Sequence, residues 1–353
     1  MLRVALIASA RFPIREPFAG GLEAHTSALA KALSALGHEV TVFAAPGSDP
    51  DLGVSFLPMA RPEISSGARA DVSMGEQAWL DEHHAYLTLM LELTDQDGRF
   101  DVIHNNCLHY LPVAMAPSLS TAMVTTLHTP PTPWLESAIQ ARPSGRPTAF
   151  VTVSGNTARA WRHLVPDPAV IHNGVDLRRW TPGPGGGPLF WSGRIVPEKG
   201  THLAIDAARR AGWPLDIAGD VLDRDYFDRE VAPRLGGSIR YLGHLTQTDL
   251  AARVAAASAV LVTPCWDEPY GLVAAEALAC GTPVAGFAVG AISELVTEHC
   301  ATLVGPGDTK ALAEAIQRTV ALRRSAARDR AVAHCSQDRM VSEYVGLYHR
   351  LAS

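Results

Sequence analysis

Trp266-Asp267-Glu268-Pro269-Tyr270-Gly271-Leu272-Val273-Ala274-Ala275-Glu276, continuing through Ala277-Leu278-Ala279-Cys280-Gly281 to Thr282-Pro283-Val284, is the stretch on which the fold is read. The apolar run Ala259 to Thr263 ahead of it predicts a buried strand. Glu268 then sits in a loop beyond the strand's carboxyl end, Glu276 lies inside the following helix, and Gly281 stops that helix. Two carboxylates are thus aimed at one place, beside a helix amino end, where open α/β sheets bind anionic ligands.

Working outward, Gly193-Arg194-Ile195-Val196-Pro197-Glu198-Lys199-Gly200 also follows a predicted strand, Leu189 to Ser192, and precedes a predicted helix, Thr201 to Ala211. Arg194 and Lys199 would add two full charges to the backbone amides of that helix start, enough to neutralise a diphosphate without a metal. Taken alone, the loop reads equally well as a surface turn with two solvated cations. Strands follow at Leu215 to Ala218 and Ile239 to Leu242, and Thr246 to Asp249 forms a capping box for the helix continuing to Ala257. Helices are predicted around Leu312 to Leu322 and over Met340 to Leu351, and the arginines of Arg323 to Arg330 read as a solvated helix face.

The first half repeats the alternation. Leu2 to Ala8, interrupted by Arg3, reads as a strand and not as a signal peptide. Gly20-Gly21 opens a helix with Leu22, Leu29, Ala32, Leu33 and Leu36 on one face, Gly37 closes it, and Glu39 to Ala44 is the next strand. This βαβ start predicts parallel sheets. Asp51 to Gly75 shows no pattern. Glu76 to Leu93 predicts a helix with Trp79, Leu80, His83, Leu87, Met90 and Leu91 on its apolar face, and further strands fall at Asp101 to His104, Thr121 to Leu127 and Ala149 to Val153. Thr181 to Pro188, made only of Thr, Pro and Gly, cannot furnish a core and marks a linker between two halves of similar plan. The fold expected is α/β, with two Rossmann-like domains: 1–180, and 181–337, the helix over 338–353 packing back on the first.

Composition narrows the class. A chain of 353 residues, 47% hydrophobic and 19% charged, can bury two cores. A net charge of -6 argues against nucleic acid as a partner, since displacing counterions needs a basic surface. Five scattered cysteines without metal-ligand spacing suit reduced thiols in a cytoplasm. No stretch has the eighteen or so uninterrupted apolar residues of a membrane span.

Singly, these residues admit plain readings. Glu268 could be a solvated acid, Glu276 an exposed helix residue, Gly20-Gly21 a turn, and His128 one of 14 histidines, with His25, His104 and His109 as rivals. Their order along the chain is more specific. Gly20-Gly21-Leu22-Glu23, Leu127-His128-Thr129, Val153-Ser154, Asn173-Gly174-Val175-Asp176, Gly193-Arg194 to Lys199-Gly200, and Glu268 to Glu276 together resemble the retaining GT-B glycosyltransferases of family 4, the glycogen-synthase-like group. The resemblance spans nearly the whole chain.

That resemblance implies a hexosyltransferase with two domains facing a cleft. Arg194 and Lys199 would hold the diphosphate of a nucleotide-sugar donor, Glu276 its ribose, and Glu268 hydroxyls of the transferred sugar. Gly193 and the backbone of Tyr270, Gly271, Leu272 and Val273 would complete that pocket. Gly20 and Gly21 would close over the diphosphate, and His128 would touch the donor sugar beside the anomeric carbon. It further implies retention of configuration, no cofactor and no metal, with UDP favoured on family frequency. Ser293, in Gly290-Ala291-Ile292-Ser293-Glu294, departs from the proline of many relatives. The helix over 76–93 carries acids and no Lys or Arg, so anionic lipid would be repelled and a soluble small-molecule acceptor is expected. Two rivals share the fold: a nucleotide-sugar 2-epimerase and a catalytically silent nucleotide-sugar-binding subunit.

Overall fold

The computed structural model describes residues 1–50, 55–58, 62–73, 75–96, 98–142 and 148–352, with 55–58 described by backbone alone. Apolar β-branched runs buried on both faces make two sheets, all of whose strand pairs are parallel, as the βαβ pattern predicts. The first holds β1 (Arg3–Ile7), β2 (Glu39–Ala44), β3 (Ser55–Pro58), β4 (Val102–Asn105), β5 (Met123–Leu127), β6 (Ala149–Thr152) and β7 (Ala169–Val170), in the order β3-β2-β1-β4-β5-β6-β7. The second holds β8 (Leu189–Ser192), β9 (Leu215–Ala218), β10 (Ile239–Tyr241), β11 (Val260–Val262), β12 (Val284–Phe287) and β13 (Ala301–Val304), in the order β10-β9-β8-β11-β12-β13. Each order reverses once, between β1 and β4 and between β8 and β11, which opens a crevice at the carboxyl ends of those strands.

The helices of the first half are α1 (Gly21–Ala35), α2 (Ser66–Arg69), α3 (Gln77–Asp95), α4 (Tyr110–Met115), α5 (Pro133–Gln140) and α6 (Gly155–Trp161). The second half adds α7 (Thr201–Ala211), α8 (Arg224–Tyr226), α9 (Gln247–Ala256), α10 (Leu272–Ala279), α11 (Ile292–Leu295), α12 (Thr309–Thr319), α13 (Arg324–His334) and α14 (Gln337–Ala352). Met340, Val341, Tyr344, Leu347 and Tyr348 of α14 pack in one cluster with Leu2, Val4, Leu29 and Val102, so the last helix returns to the first sheet. Val175 N donates to Cys335 O and Gln337 N to Val175 O, and the two passages of chain between the sheets therefore lie side by side.

Four readings need correction. Asp51 to Gly75 contains β3 and α2, each too short to show a period; its residues 51–54, 59–61 and 74 lie outside the described set, as does Ser353 at the end of the last helix. The buried stripe of α3 is Ala85, Tyr86, Leu89, Met90 and Leu93, while Trp79 and Leu91 are exposed. Leu36 is likewise exposed at the end of α1. The predicted linker is hydrogen-bonded to its surroundings: Gly185 N and Gly187 N donate to Ala255 O and Ala256 O at the end of α9. The arginines after Leu322 are not a solvated face. Arg324 donates to Gly183 O, Ala255 O, Ala257 O and Cys280 O, Arg328 to Leu177 O, Trp180 O and Ala279 O, and Arg330 to Glu294 O and Leu295 O. Most of these carbonyls lie at the ends of α9, α10 and α11, where a helix leaves them orphaned.

Candidate active site

A cavity of about 350 Å³ lies between the carboxyl ends of the two sheets and is lined from both. Gly20, Gly21, His128, Gly193, Arg194, Lys199, Glu268, Tyr270, Gly271, Leu272, Val273 and Glu276, which come from four separated stretches, all face it.

The loop before α10 is built to turn sharply. Gly271 has φ +93°, and a Cβ there would run into Ile292 Cδ1, so only glycine fits. Ala291 N donates to Glu268 O at 2.8 Å, which fixes the acid's backbone from the Gly290-Ala291 turn; Ser293 leaves that contact intact. From the first half, Ser154 Oγ and Thr157 Oγ1 donate to Pro269 O at 2.6 and 3.2 Å. Asn156 Nδ2 reaches Asp267, and Arg159 pairs with Glu294 at 2.7 Å. Ser154 also caps α6 through Thr157 N, so one hydroxyl ends a helix and holds the acid-bearing loop across the cleft. Ser154→Ala removes both the cap and the bond to Pro269 O, about 1 kcal/mol each, and is expected to lower the melting temperature by a few degrees and to raise KM for the donor severalfold; steady-state kinetics beside a melt checks this.

Within the cavity, Lys199 Nζ lies 2.7 Å from Glu268 Oε2, with both side chains mostly buried. The same carboxylate oxygen accepts from Trp266 Nε1 at 3.0 Å, and the ammonium sits 5.0 Å from the Trp266 ring centroid. Lys199 arrives from the single turn Pro197–Lys199, ahead of Gly200, and is not in the first turn of α7. Arg194 has Glu198 at 3.9 Å and is half-open to the cavity. Glu276 is buried with no hydrogen-bond partner among the described residues, and desolvation pushes its carboxyl up to about 8. The amides of Leu272 and Val273, at the start of α10, are orphan donors of a helix start, and both residues line the same space.

The first half contributes the opposite wall. Gly21 is packed so closely that a Cβ would stand 2.9 Å from Leu272 Cδ1. The atom met is the end of a flexible side chain, so Gly21→Ala is expected to displace Leu272 and raise the KM for the donor severalfold, with little change in melting temperature. His128 Nε2 lies 2.9 Å from Asn106 Oδ1, and its ring is edge-on to His25 at 5.0 Å. Burial, reinforced by His25 and His104, keeps the His128 pKa well below its ordinary value. His104 bonds Tyr348 and Thr126, and His109 caps α4.

Several lining residues were given no role from sequence. Glu23, buried at the start of α1, has its carboxyl raised by desolvation, against the opposing pull of its own backbone amide and Arg194. Ser192, Gly219, Asp220, His244 and Leu245 also line the cavity. Gly219 and Asp220 follow β9 directly, so the rule that ligands sit at carboxyl ends of strands could have flagged them.

Two parallel sheets with a cleft between their carboxyl ends, cations from one side and a glycine helix start from the other, define a GT-B glycosyltransferase. Residues 187–333 match the model described as Glycosyl transferases group 1, and residues 19–179 the model described as Glycosyltransferase Family 4. The chain is 30% identical to the glycogen synthase of Mycobacterium tuberculosis H37Rv, across 92% of this chain and 87% of that one. It is 28% identical to a D-inositol 3-phosphate glycosyltransferase of Kribbella flavida, over 86% of this chain and 84% of that one. Among solved structures it is similar to AviGT4, a glycosyltransferase involved in avilamycin A biosynthesis, with a TM-score of 0.73, 25% identity and coverage of 100% of this chain and 98% of the other. The chain belongs to the family 4, group 1 glycosyltransferases.

Proposed function

We propose that this glycosyltransferase moves a sugar from a nucleoside-diphosphate sugar, UDP-linked, to a hydroxyl of a soluble small-molecule acceptor, with retention and without a metal. The observation that carries the reading is the Lys199–Glu268 pair with Arg194 beside it in a cleft whose other wall starts at Gly20-Gly21. A cation already balanced by a sugar-binding acid can turn to a diphosphate when one enters. Arg194, with Glu198 no nearer than 3.9 Å and Glu23 as its other acidic neighbour, offers a planar fork for phosphate oxygens.

In the reaction, the bond from the anomeric carbon to the β-phosphate oxygen breaks and both electrons leave with the nucleoside diphosphate. Lys199, Arg194 and the amides at the start of α10 stabilise that charge. The acceptor oxygen bonds to the anomeric carbon from the same face, and its proton passes to the departing phosphate oxygen. Glu268 accepts from hydroxyls of the transferred sugar, and Glu276 from the two ribose hydroxyls. With Asn106 Oδ1 as acceptor, the neutral His128 carries its proton on Nε2 and presents Nδ1 to a sugar hydroxyl. Among the described residues, no helix is long and apolar enough to cross a membrane. The acidic α3 supports an acceptor free of anionic lipid.

The test is a panel of UDP-, ADP- and GDP-glucose, each offered in EDTA without acceptor. Slow release of nucleoside diphosphate, fastest from UDP-glucose, supports transfer; nucleotide-sugar binding without any release supports a silent binding subunit.

A further inference from the structure

Trp79 and Trp134 are 43% and 59% exposed, although tryptophan is the largest apolar side chain. They are not isolated. Trp79 stacks on His83 with centroids 5.3 Å apart, Tyr110 stacks on Trp134 at 5.5 Å, His83 Nδ1 lies 3.1 Å from Tyr110 OH, and the two indoles are 6.4 Å apart. The four rings close into one surface patch contributed by α3, α4 and α5.

Three connections tie that patch to the wall of the active-site cavity. Arg11 lines the cavity and pairs at 3.0 Å with Glu82, one helical turn from Trp79. Leu108 lines the cavity and is followed at once by His109 and Tyr110, whose rings stack at 4.5 Å. Beneath them Tyr86 stacks on His109 at 4.8 Å, and its hydroxyl donates to Ala8 O and accepts from Ala10 N, which flank the lining residue Ser9. The patch is therefore held rigidly beside the mouth of the cleft on the half that does not carry Arg194, Lys199 or Glu276.

The chemistry of the rim selects the occupant. A pyranose has an apolar face of C–H groups and a polar edge of hydroxyls, so it stacks on an aromatic ring while its edge needs hydrogen-bond partners. Glu82, one turn from Trp79, stands beside the rings in its pair with Arg11, and α3 has no Lys or Arg to attract anionic headgroups. Four rings are also far short of the area that a stable protein–protein interface buries.

We propose that Trp79, His83, Tyr110 and Trp134 form a saccharide-binding platform that holds a sugar unit of the acceptor away from the hydroxyl being glycosylated. The acceptor class is then a neutral oligosaccharide or a glycosylated metabolite, and the inference rests on the transferase reading above. Calorimetric titration of the native chain with maltoheptaose, cellohexaose, mannopentaose and chitopentaose tests it, beside the Trp79→Ala/Trp134→Ala variant. At least one sugar is expected to bind the native chain and to lose about tenfold or more in affinity in the double variant, with UDP binding and acceptor-free donor hydrolysis unchanged. If the double variant melts early, Trp134→Tyr keeps an aromatic face and should retain binding, whereas Trp134→Leu should not. Binding of none of the four sugars, or equal binding by native and variant chains, overturns the platform. Loss of UDP binding and donor hydrolysis in the native chain would instead sink the transferase reading, and the two failures are thus separable.

Discussion

Lys199→Ala is expected to lower turnover by on the order of a hundredfold to a thousandfold, the range for removing one preorganised donor to a developing anion. The pairing at 2.7 Å with Glu268 gives this substitution two consequences. Charge that would meet the leaving diphosphate is lost, and the mostly buried Glu268 carboxylate keeps, among the described residues, only Trp266 Nε1 as a partner, directly beside an incoming anion. Lys199→Ala with Glu268→Gln should therefore recover donor affinity relative to Lys199→Ala while turnover stays low. Arg194→Ala should cost a similar factor, and Arg194→Lys should recover only part of it, because an ammonium cannot reproduce a two-pronged contact. Arg194→Ala should melt as the native chain does, and Lys199→Ala below it, because Glu268 loses its ion-pair partner. Near-native turnover in both would show that the diphosphate does not lie there.

Glu276→Gln carries the second large effect, and its sign differs between binding and stability. The buried, unpartnered carboxyl is pushed up to about 8 from an ordinary value of 4.5. The folded chain therefore keeps a proton that the unfolded chain gives up, and this contribution to stability is full below pH 4.5 and is lost as pH rises to about 8. Glutamine has no proton to lose, so the variant should melt above the native chain at pH 8 and level with it near pH 4.5. In binding the order reverses. A carboxylate can accept from both ribose hydroxyls at once, an amide oxygen less well, so affinity for the nucleoside diphosphate should fall about tenfold to a hundredfold. A structural glutamate would give the opposite stability result. Melting scans over pH 4.5–8, with UDP titration at pH 8, measure both; native affinity in the variant would remove Glu276 from the nucleotide site.

Much of this site could be read before any coordinates, because its chemistry is local. Glu268, Gly271 and Glu276 belong to one strand–loop–helix unit, and Arg194 and Lys199 to another, so spacing alone placed the donor-side groups at strand ends. What was hidden depends on meetings between distant segments. Asn106 is unremarkable until His128 arrives from the neighbouring strand, and the pairing of Lys199 with Glu268 joins two loops that sequence could place only at the same sheet edge. Asp220 and His244 follow strands with no charge pattern of their own. Arg324, Arg328 and Arg330 look solvated from spacing, since the carbonyls that hold them belong to other helices. In α3, the apolar residues Trp79, Leu80, Leu87 and Leu91 compete with the stripe through Tyr86, Leu89 and Leu93, and burial chose the second. The exposure of Trp79, from which the saccharide platform is inferred, is a direct outcome of that choice.

The central claim is that this cleft breaks an anomeric bond by stabilising a departing nucleoside diphosphate with Lys199 and Arg194. Release of UDP from UDP-glucose in EDTA, by the native chain and by Lys199→Ala and Arg194→Ala, tests it most directly. The account predicts measurable release from the native chain and about a hundredfold less from either variant at a temperature where it is fully folded. Equal release from native and variant chains, or release from the native chain only when a divalent cation is supplied, would contradict it.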